Sequence, residues 1–387
     1  MAYWKDDMPP HTAAKHRILK HYLLQWFPIL GKYNKRLAYV DGFAGQGVYP
    51  GGEPGSPIIA LRAANEHADK MELDVEFWFV EKTKKTAAVL ESQIAEISDS
   101  LSPRLHHRVV RSKFDVQLPS IVKTLKSKGK MPPTFAFVDP FGYSFKMATL
   151  LSFLKNEKCE TLATFMSSSV HRFIKRDNLK HAKTLDDLFD SQEWRRIDST
   201  GRKRVRDLTD LFARRLESGN NEFVKLFDMY DVNRSPEYSL IFTTNHKKGL
   251  NAMSYSMKKV GFDEGCHFFD ANTLDQSSLR KYFDEGEQYR HPVEMIFEHF
   301  QGTTTRVESV ETFFNHKTRY VFDKKLLGHL SRESPPKILK VVTRDGKVAK
   351  KSTYPAGCKI TFASKSDLEL GAPPQGARQP GSLDRWF

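Results

Sequence analysis

The stretch Leu37-Ala38-Tyr39-Val40-Asp41-Gly42-Phe43-Ala44-Gly45-Gln46-Gly47 carries more structural information than any other part of this 387-residue chain. Its apolar start predicts a short buried strand, which Asp41 ends before a glycine-rich turn. Glycine has no Cβ, so its backbone N–H can come close to a ligand. Doubly wound α/β sheets bind ligands beyond the carboxyl ends of their strands. The stretch therefore predicts the first strand of such a sheet, followed by a ligand-binding turn.

The turn does not have the spacing G-x-G-x-x-G or G-x-x-x-x-G-K-[ST], which argues against a dinucleotide or a nucleoside triphosphate as its ligand. An acidic residue before a turn of small residues suits a ligand that carries amine and hydroxyl donors, and S-adenosylmethionine is such a ligand. We expect the methionine part of this cofactor to face six residues: Asp41, Gly42, Phe43, Ala44, Gly45 and Gly47.

Acidic residues also follow the next two predicted strands. Glu81 ends the strand at 76–81 and is placed to accept hydrogen bonds from ribose hydroxyls. Asp115 follows the strand at 107–111 and would accept a hydrogen bond from the adenine amine. The alternative is that each is a turn or helix-cap residue, which is a common role for an acid at a strand end.

Apolar strands and helices alternate over the first half of the chain. Strands are predicted at 37–41, 76–81, 107–111, 134–139 and 161–166, and helices at 11–30, 58–68, 83–97, 117–128 and 146–155. This alternation predicts an α/β, Rossmann-like, doubly wound sheet with helices on both faces. The sheet is expected to resume at 238–243 and to include 266–269, which gives a domain over residues 1–285.

Residues 171–235 interrupt the alternation and predict a helical, polar insertion. Its basic cluster, Arg202, Lys203, Arg204 and Arg206, would contact nucleic acid or form a solvated helical face, and the sequence leaves both open.

Residues 286–363 predict a winged helix-turn-helix module, with three helices followed by two strands at 338–342 and 359–362. Lys324, Lys325, Lys350 and Lys351 would contact phosphates there. Winged helices also dock proteins, so this alternative stays open. Residues 364–387, rich in Pro, Gly, Ala and Ser, predict a disordered tail.

The composition points to a polyanionic partner. Lys and Arg number 61 against 47 Asp and Glu, the net charge is +14 and the pI is about 9.4, so nucleic acid is favoured over a merely solvated basic surface. The sequence has no apolar run of membrane-spanning length and no signal peptide, which predicts a cytoplasmic protein without a membrane partner. The three widely spaced cysteines predict buried thiols, and no metal site is expected.

The segment Asp139-Pro140-Phe141-Gly142 follows the strand at 134–139. Asp139 and the Pro140 carbonyl would hold an amino group, and Phe141 would stack on a base. The alternative is a strand-ending turn with proline at its second position. His11 and Lys15, one helical turn apart, would line the mouth of the same pocket.

These motifs resemble those of class I S-adenosylmethionine-dependent methyltransferases. Asp41–Gly47 is closest to the D-x-F-A-G-x-G form found in enzymes that methylate nucleic-acid bases. Asp139–Gly142 is similar to their D-P-P-[YF] motif, except that Phe141 replaces the second proline and Gly142 stands where the aromatic residue is expected. The resemblance implies S-adenosylmethionine as cofactor and a base amine as acceptor.

More specifically, the chain resembles the three-Cys-motif partner protein family. The matching segments are His11-Thr12, Lys15-His16, Ile18-Leu19, Tyr22-Leu23, Trp26, Tyr39–Gly47, Gly55–Pro57, Val138–Tyr143 and Leu240–Gly249. This resemblance implies a methyltransferase-like fold with a C-terminal winged helix. It also implies a partner protein with a three-cysteine motif, such as an iron–sulfur radical enzyme.

The C-terminal segment Ser382–Phe387 resembles the sliding-clamp-binding box of archaeal and eukaryotic replication and repair enzymes. Leu383, Trp386 and Phe387 would fill a hydrophobic pocket on the clamp; Pro380 stands in the place of the usual glutamine, and Gln379 lies one residue earlier. The resemblance implies work on DNA near replication or repair forks.

The sequence thus predicts an S-adenosylmethionine-dependent methyltransferase that acts on DNA and is linked to replication or repair through a sliding clamp. Two alternatives stay open. One is a non-catalytic accessory or adaptor that brings a three-cysteine radical enzyme to DNA, and the other is an RNA methyltransferase.

Overall fold

The computed structural model describes residues 8–140, 142, 145–176, 181–219, 221–231, 236–261, 267–269, 292–318 and 320–370. The chain divides into two compact units. The first comprises Met1–Tyr282 and Asn315–Val321, and the second comprises Phe283–Phe314 and Phe322–Phe387. Phe141 and the clamp-binding candidates Leu383, Trp386 and Phe387 lie outside the described residues.

The first unit follows the predicted alternation of strands and helices. Its strands are β1 (Arg36–Asp41), β2 (Asp74–Glu81), β3 (Leu105–Arg111), β4 (Thr134–Val138), β5 (Cys159–Phe165), β6 (Phe223–Tyr230), β7 (Pro236–Thr244) and β8 (His267–Phe269). Its helices are α1 (Pro10–Gly31), α2 (Ser56–Asn65), α3 (Ala68–Met71), α4 (Lys84–Ser98), α5 (Phe114–Ser127), α6 (Met147–Leu154), α7 (Ser167–Arg176), α8 (Ala182–Phe189), α9 (Gly201–Glu217) and α10 (Lys247–Lys258).

The eight strands form one sheet in the order β3-β2-β1-β4-β5-β7-β6-β8. Strands β1 to β5 run parallel, and β7 is antiparallel to both β5 and β6. The strand order reverses on either side of β1, where β2 and β4 flank it, and this is the switch point at which a doubly wound sheet opens a crevice for ligands. The predicted Rossmann-like, class I methyltransferase-like α/β fold is confirmed.

Each face of the sheet has its own apolar core. Successive side chains of a strand point to opposite faces, and helices cover both faces of this sheet. One core packs α1, α2, α4 and α10 against residues such as Tyr39 and Phe77, and the other packs α5, α6, α8 and α9 against residues such as Val40 and Phe165. Helix α1 therefore lies on the sheet through its buried face, from Ala14 to Phe27.

The prediction that residues 171–235 are helical throughout is wrong. Helices α7, α8 and α9 are present, but Phe223–Tyr230 forms β6, a strand inside the sheet. Alternating residues of β6 are buried, and β6 pairs with β7 along its full length. The polar Lys225 and Asp228 obscure the apolar alternation in the sequence. Lys225 is nevertheless buried, because its Nζ donates to the carbonyl of Thr318 at 3.1 Å.

The described residues from 292 to 370 contain four helices and a small sheet. The helices are α11 (Pro292–Phe300), α12 (Val307–Lys317), α13 (Lys324–Arg332) and α14 (Lys365–Leu370), and the strands are β9 (Thr304–Arg306), β10 (Ile338–Val342) and β11 (Lys359–Phe362). The strands form an antiparallel sheet in the order β10-β11-β9. The five predicted elements are all present, and β9 was missed because it has only three residues. That the module is a winged helix-turn-helix stays a prediction.

The predicted disordered tail begins too early, because residues 365–370 form α14. The Ser364 N–H donates to Asp367 Oδ2 at 2.7 Å, and the Asp367 N–H donates to Ser364 Oγ at 3.2 Å. This reciprocal pair is a capping box of the S-x-x-D type, which satisfies two backbone donors that would otherwise lack partners at the helix start.

A stability prediction follows from the core beneath α9. The Phe212 side chain is fully buried, and its ring stacks on Phe165 with the two centroids 4.5 Å apart. We expect Phe212→Ala to lower the free energy of unfolding by about 3–5 kcal/mol, because it leaves a cavity. Val116→Ala, at a side chain that is 65% exposed, is the control and should change it by less than about 0.5 kcal/mol. Urea denaturation measures both, and equal effects would contradict this account of the core.

Candidate functional site

The glycine-rich turn after β1 is attached to the strands on both sides of it. The Gly42 N–H donates to the Phe137 carbonyl of β4 at 2.9 Å, and the Ala44 N–H donates to the Val80 carbonyl of β2 at 3.0 Å. The turn therefore closes over the carboxyl ends of three adjacent strands, which is the predicted position.

Glycine is needed at several points of this turn for steric reasons. Gly45 and Gly47 have φ angles of 65° and 87°, in the left-handed region that favours glycine. A Cβ on Gly42 would lie 2.6 Å from the Phe114 ring. Sequence reasoning assigned no role to Phe114, although its aromatic ring also lies 5.5 Å from that of Phe43 and supports the turn from below.

Asp41 is fully buried at the end of β1. Its Oδ1 accepts a hydrogen bond from the Phe43 N–H at 3.2 Å, and the Ser56 hydroxyl also bonds to this carboxyl group. Burial, with a smaller contribution from the negative charge of Asp139, raises the pKa of Asp41 to about 7 although hydrogen bonds from Ser56, Phe43 and Tyr39 lower it. The carboxyl group therefore changes charge near neutral pH, and a cationic amine beside it would favour the ionised form.

Glu81 is half-buried at the end of β2, and both of its carboxylate oxygens already accept backbone hydrogen bonds. Oε2 accepts from the Gly45 N–H at 3.2 Å and Oε1 from the Thr83 N–H at 2.7 Å. Glu81 thus holds the glycine turn in place. Each carboxylate oxygen has a second lone pair, so Glu81 can still accept hydrogen bonds, and the predicted contact with ribose hydroxyls stays a prediction.

Asp115 lies in the first turn of α5 rather than at a free strand end. Its Oδ1 accepts a hydrogen bond from the Lys146 N–H at 2.9 Å, one residue before α6 begins. This contact ties the starts of α5 and α6 together, although Asp115 is the N-cap residue of neither helix. The predicted contact of Asp115 with adenine stays a prediction.

Asp139 follows β4 and forms an ion pair with Lys15 of α1. The Lys15 side chain is only 8% exposed and that of Asp139 is 21% exposed, while Lys15 Nζ also lies 5.3 Å from the centroid of the Tyr238 ring. Lys15 was expected to line the mouth of the pocket. In the structure, its ammonium group neutralises the carboxylate of Asp139, which was expected to hold an acceptor amine. Pro140, which follows, is buried.

His16 is next to Lys15 on α1, and its buried Nδ1 atom has no hydrogen-bond partner among the described residues. Burial lowers the pKa of His16 to about 3, with a further lowering by the charge of Lys15, so the ring is neutral at physiological pH. The His16 ring lies 5.8 Å from that of Tyr49, in the loop after the glycine turn. An unpaired buried nitrogen of this kind is available to a ligand.

Two hydroxyl groups near the carboxyl end of β5 resemble His16 Nδ1 in being buried without a hydrogen-bond partner in the described part of the chain. Thr164 Oγ1 and Ser167 Oγ are buried and lack partners among the residues that the structure describes. They lie at the carboxyl ends of the strands, as Asp41 and Asp139 do. The residues at these strand ends therefore fit a polar ligand with several hydrogen-bonding groups, which is the chemistry that S-adenosylmethionine presents.

The predicted nucleic-acid contacts are distributed over both units. On α9, Arg202 and Lys203 are exposed, and Lys203 pairs with Asp207 at 3.0 Å, while Arg204 Nε donates to the Ser199 carbonyl. Arg206 lies on the same helix. In the second unit, Lys324 and Lys325 begin α13, and Lys350 and Lys351 lie in an exposed turn before β11. An exposed ion pair such as that of Lys203 is weak and leaves the cation accessible to phosphate.

Other kinds of site receive no support from the described residues. Within the described ranges, His, Cys, Asp and Glu side chains nowhere gather in groups of three or more that would hold a metal ion. Among the helices that the structure describes, none has both the length and the apolar character needed to cross a bilayer. A cavity of about 440 Å³ lies in the second unit between His329, Arg332 and Lys337. None of the candidate site residues that the structure describes lines this cavity. We therefore place the candidate site at the carboxyl ends of the parallel strands, on the basis of the sheet topology.

No protein-family model matches the chain, and no curated protein matches it. Among solved structures, protein LPL1258 of Legionella pneumophila, described under the family model DUF519, is 12% identical over 59% of this chain and 85% of its own, with a TM-score of 0.36. The DszA carbon methyltransferase is 13% identical over 58% and 52%, with a TM-score of 0.33. The METTL16 methyltransferase domain is 10% identical over 58% and 66%, with a TM-score of 0.30.

Methyltransferases are thus among the solved structures that are similar to this chain, although the chain spans only about half of DszA and two thirds of the METTL16 domain. With identities this low and TM-scores below 0.5, these similarities carry no argument about substrate or partner. The strand order and the site residues carry the functional argument.

Asp41 gives a pH-dependent prediction. Its pKa in the folded protein, about 7, is above the ordinary value of 3.8, so the stability that the protonated form contributes is complete below pH 3.8 and is lost as the pH rises through 7. Asp41→Asn stays neutral, and we expect its free energy of unfolding relative to wild type to increase between pH 4 and 7, by at most about 4 kcal/mol. Urea titrations at several pH values measure this difference. A difference that stays constant over this range would contradict the raised pKa.

Proposed function

We propose that this chain is an S-adenosylmethionine-dependent methyltransferase that acts on DNA. The observation that carries the proposal is the site at the switch point of the sheet, where the glycine turn lies beside the buried carboxyl group of Asp41. Asp41 ionises near neutral pH, and it stands at the end of the central strand β1, where doubly wound sheets place their ligands.

Each residue of the site has a role in this proposal. Asp41 accepts a hydrogen bond from the cofactor's ammonium group, and the backbone of Gly45 and Gly47 approaches the cofactor closely. Glu81 fixes the turn through the Gly45 N–H and offers its remaining lone pairs to ribose hydroxyls. His16 Nδ1 provides a neutral hydrogen-bonding atom at the same edge.

When bound, the cofactor supplies an electrophilic methyl group on a sulfonium ion. Asp139 accepts a hydrogen bond from the acceptor amine and orients its lone pair, while Pro140 offers its carbonyl oxygen. Because Lys15 forms an ion pair with Asp139, the acceptor must share that carboxylate with the lysine. The reaction transfers the methyl group to nitrogen, which then loses one proton to the solvent or to a nearby base.

DNA is the proposed substrate because the chain carries an excess of 14 positive charges, and such an excess favours binding to a phosphate backbone. RNA is the second candidate for the same reason. The clamp-binding tail, with Leu383, Trp386 and Phe387, is part of the proposal on sequence grounds, as is a three-cysteine-motif partner protein.

Two observations favour a second function, that of a non-catalytic adaptor for such a partner. Lys15 neutralises the Asp139 carboxylate, and both oxygens of Glu81 serve the fold. In an adaptor, these contacts would be permanent and the site would have no acceptor to bind.

Cofactor binding tests the proposal directly. We expect wild-type protein to bind S-adenosylhomocysteine in calorimetry with an affinity that rises nearly tenfold per pH unit below pH 7, because the ligand's ammonium group prefers ionised Asp41. Asp41→Asn should lower the affinity at pH 7 by tenfold or more and remove this pH dependence. Asp99→Asn, at an exposed position, is the matched control and should behave as wild type.

Transfer of a labelled methyl group to single-stranded DNA, duplex DNA and RNA distinguishes the substrates. The proposal expects labelling of DNA that Asp139→Asn abolishes without weakening cofactor binding. Cofactor binding without a labelled acceptor would support the adaptor, and no cofactor binding at all would remove the methyltransferase proposal.

A further inference from the structure

Helices α1 and α10 lie side by side and antiparallel on one face of the sheet. Gln25 Nε2 donates to Ser256 Oγ at 3.1 Å and to the Ala252 carbonyl at 3.4 Å. His21 lies towards Lys259 at one end of the pair, and the opposite end brings Tyr33 towards Lys248. The two helices therefore present one continuous outer face.

This face has an unusual charge composition. Neither Pro10–Gly31 nor Lys247–Lys258 contains an aspartate or a glutamate. Five basic residues on it are exposed: Arg17, Lys20, Lys247, Lys248 and Lys259. Three of them act together on His21, because its pKa is lowered first by burial and then by the charges of Lys20, Lys259 and Arg17.

Two exposed tyrosines stand among these cations. Tyr33 is 75% exposed and Tyr255 is 50% exposed. Lys248 Nζ lies 5.8 Å from the centroid of the Tyr33 ring, and Lys259 Nζ lies 5.2 Å from that of Tyr255. Each aromatic ring thus has a cation over one of its faces, so a base that stacks on the other face would bring its phosphate close to a lysine.

The dimensions of the face suit a short stretch of nucleic acid. From His21 to its last residue, Gly31, α1 advances 10 residues, or about 15 Å at 1.5 Å per residue. Phosphates of a stacked strand are about 3.4 Å apart along its axis, so this length has room for about four stacked nucleotides.

We propose that this face, defined by Tyr33, Tyr255 and the five exposed basic residues named above, binds single-stranded DNA. The choice of DNA rests on the proposed function, whereas the choice of a single strand rests on the tyrosines, because the faces of bases are available for stacking on side chains only where they are unpaired. Neither the predicted clusters on α9 and α13 nor the strand-end site includes these residues.

Helix α1 connects this face with the candidate site, which indicates what the face does for a bound strand. Lys15 and His16 of α1 belong to the site, and Arg17 and Lys20 on the same helix belong to the face. A strand that follows α1 towards its amino-terminal end therefore arrives at Asp139. The face would hold the DNA that flanks an unpaired acceptor base.

Fluorescence anisotropy with a labelled single-stranded 12-mer of mixed sequence tests this proposal on the full-length protein without cofactor. We expect Tyr33→Ala/Tyr255→Ala to weaken binding about tenfold or more, and Tyr33→Phe/Tyr255→Phe to bind as wild type, because the ring and not the hydroxyl group stacks. Lys248→Glu/Lys259→Glu should weaken binding about tenfold and make the slope of log K against log salt shallower by about 1.4, as expected for two lost phosphate contacts.

Lys84→Glu/Lys85→Glu is the matched control, since it makes the same charge change at exposed positions of α4 in the same unit, and it should have less than a threefold effect. Thermal unfolding of every variant checks that it is folded.

An unchanged affinity of the Tyr33→Ala/Tyr255→Ala variant, or an equal loss of affinity in the α4 control, would overturn the proposal. Tighter binding of duplex DNA or of a single-stranded RNA 12-mer would overturn the choice of single-stranded DNA. Because the assay contains no cofactor, its outcome is separate from that of the methyl-transfer test.

Discussion

The turn after β1 depends on hydrogen bonds that join it to the two neighbouring strands, β2 and β4. Its backbone N–H groups donate to Phe137 of β4, to Val80 of β2 and to the carboxylate of Glu81. These bonds fix a path on which Gly45 and Gly47 have φ angles in the left-handed region that favours glycine, and that path carries the chain over the buried Asp41. Without this arrangement, the carboxyl group of Asp41 would reach water and its pKa would return towards the ordinary value.

Two buried carboxyl groups in the same sheet show how the surroundings separate a structural group from a site group. Glu160, near the amino end of β5, accepts hydrogen bonds from Tyr22 at 2.7 Å, from Trp26 at 2.7 Å and from Thr244. Burial raises the pKa of Glu160, and its three donors belong to α1 and β7 and lie near the amino end of β5. Asp41 also has three donors, the Phe43 N–H, the Ser56 hydroxyl group and, at 3.5 Å, the Tyr39 hydroxyl group, but it lies at the carboxyl ends of the strands, where ligands bind. The first carboxyl group therefore holds α1 on the sheet, whereas the second is available for chemistry.

The sequence predicted the parts of the fold that depend on local pattern. The strand at 134–139 and the strands at 338–342 and 359–362 appear within a residue of the predicted ranges, because their apolar runs are short and bounded by turn residues. The strand β6 was missed because Lys225 and Asp228 interrupt its pattern, and the burial of Lys225 depends on a tertiary contact with Thr318. The ion pair between Lys15 and Asp139 was not predictable either, since 124 residues separate its members and no local signal relates them.

Helix α1 connects the chemistry of the site with the charge of the surface. Its inward residues pack on the sheet, and its Lys15 and His16 enter the site because the helix crosses the carboxyl edge near its start. Its outward residues need only be compatible with water, yet α1 and its neighbour α10 contain no acidic residue. Mutual repulsion among so many cations makes this arrangement unfavourable for the isolated fold. A polyanion relieves that repulsion when it binds, so the absence of acids on both helices is better explained by a partner than by the stability of the fold.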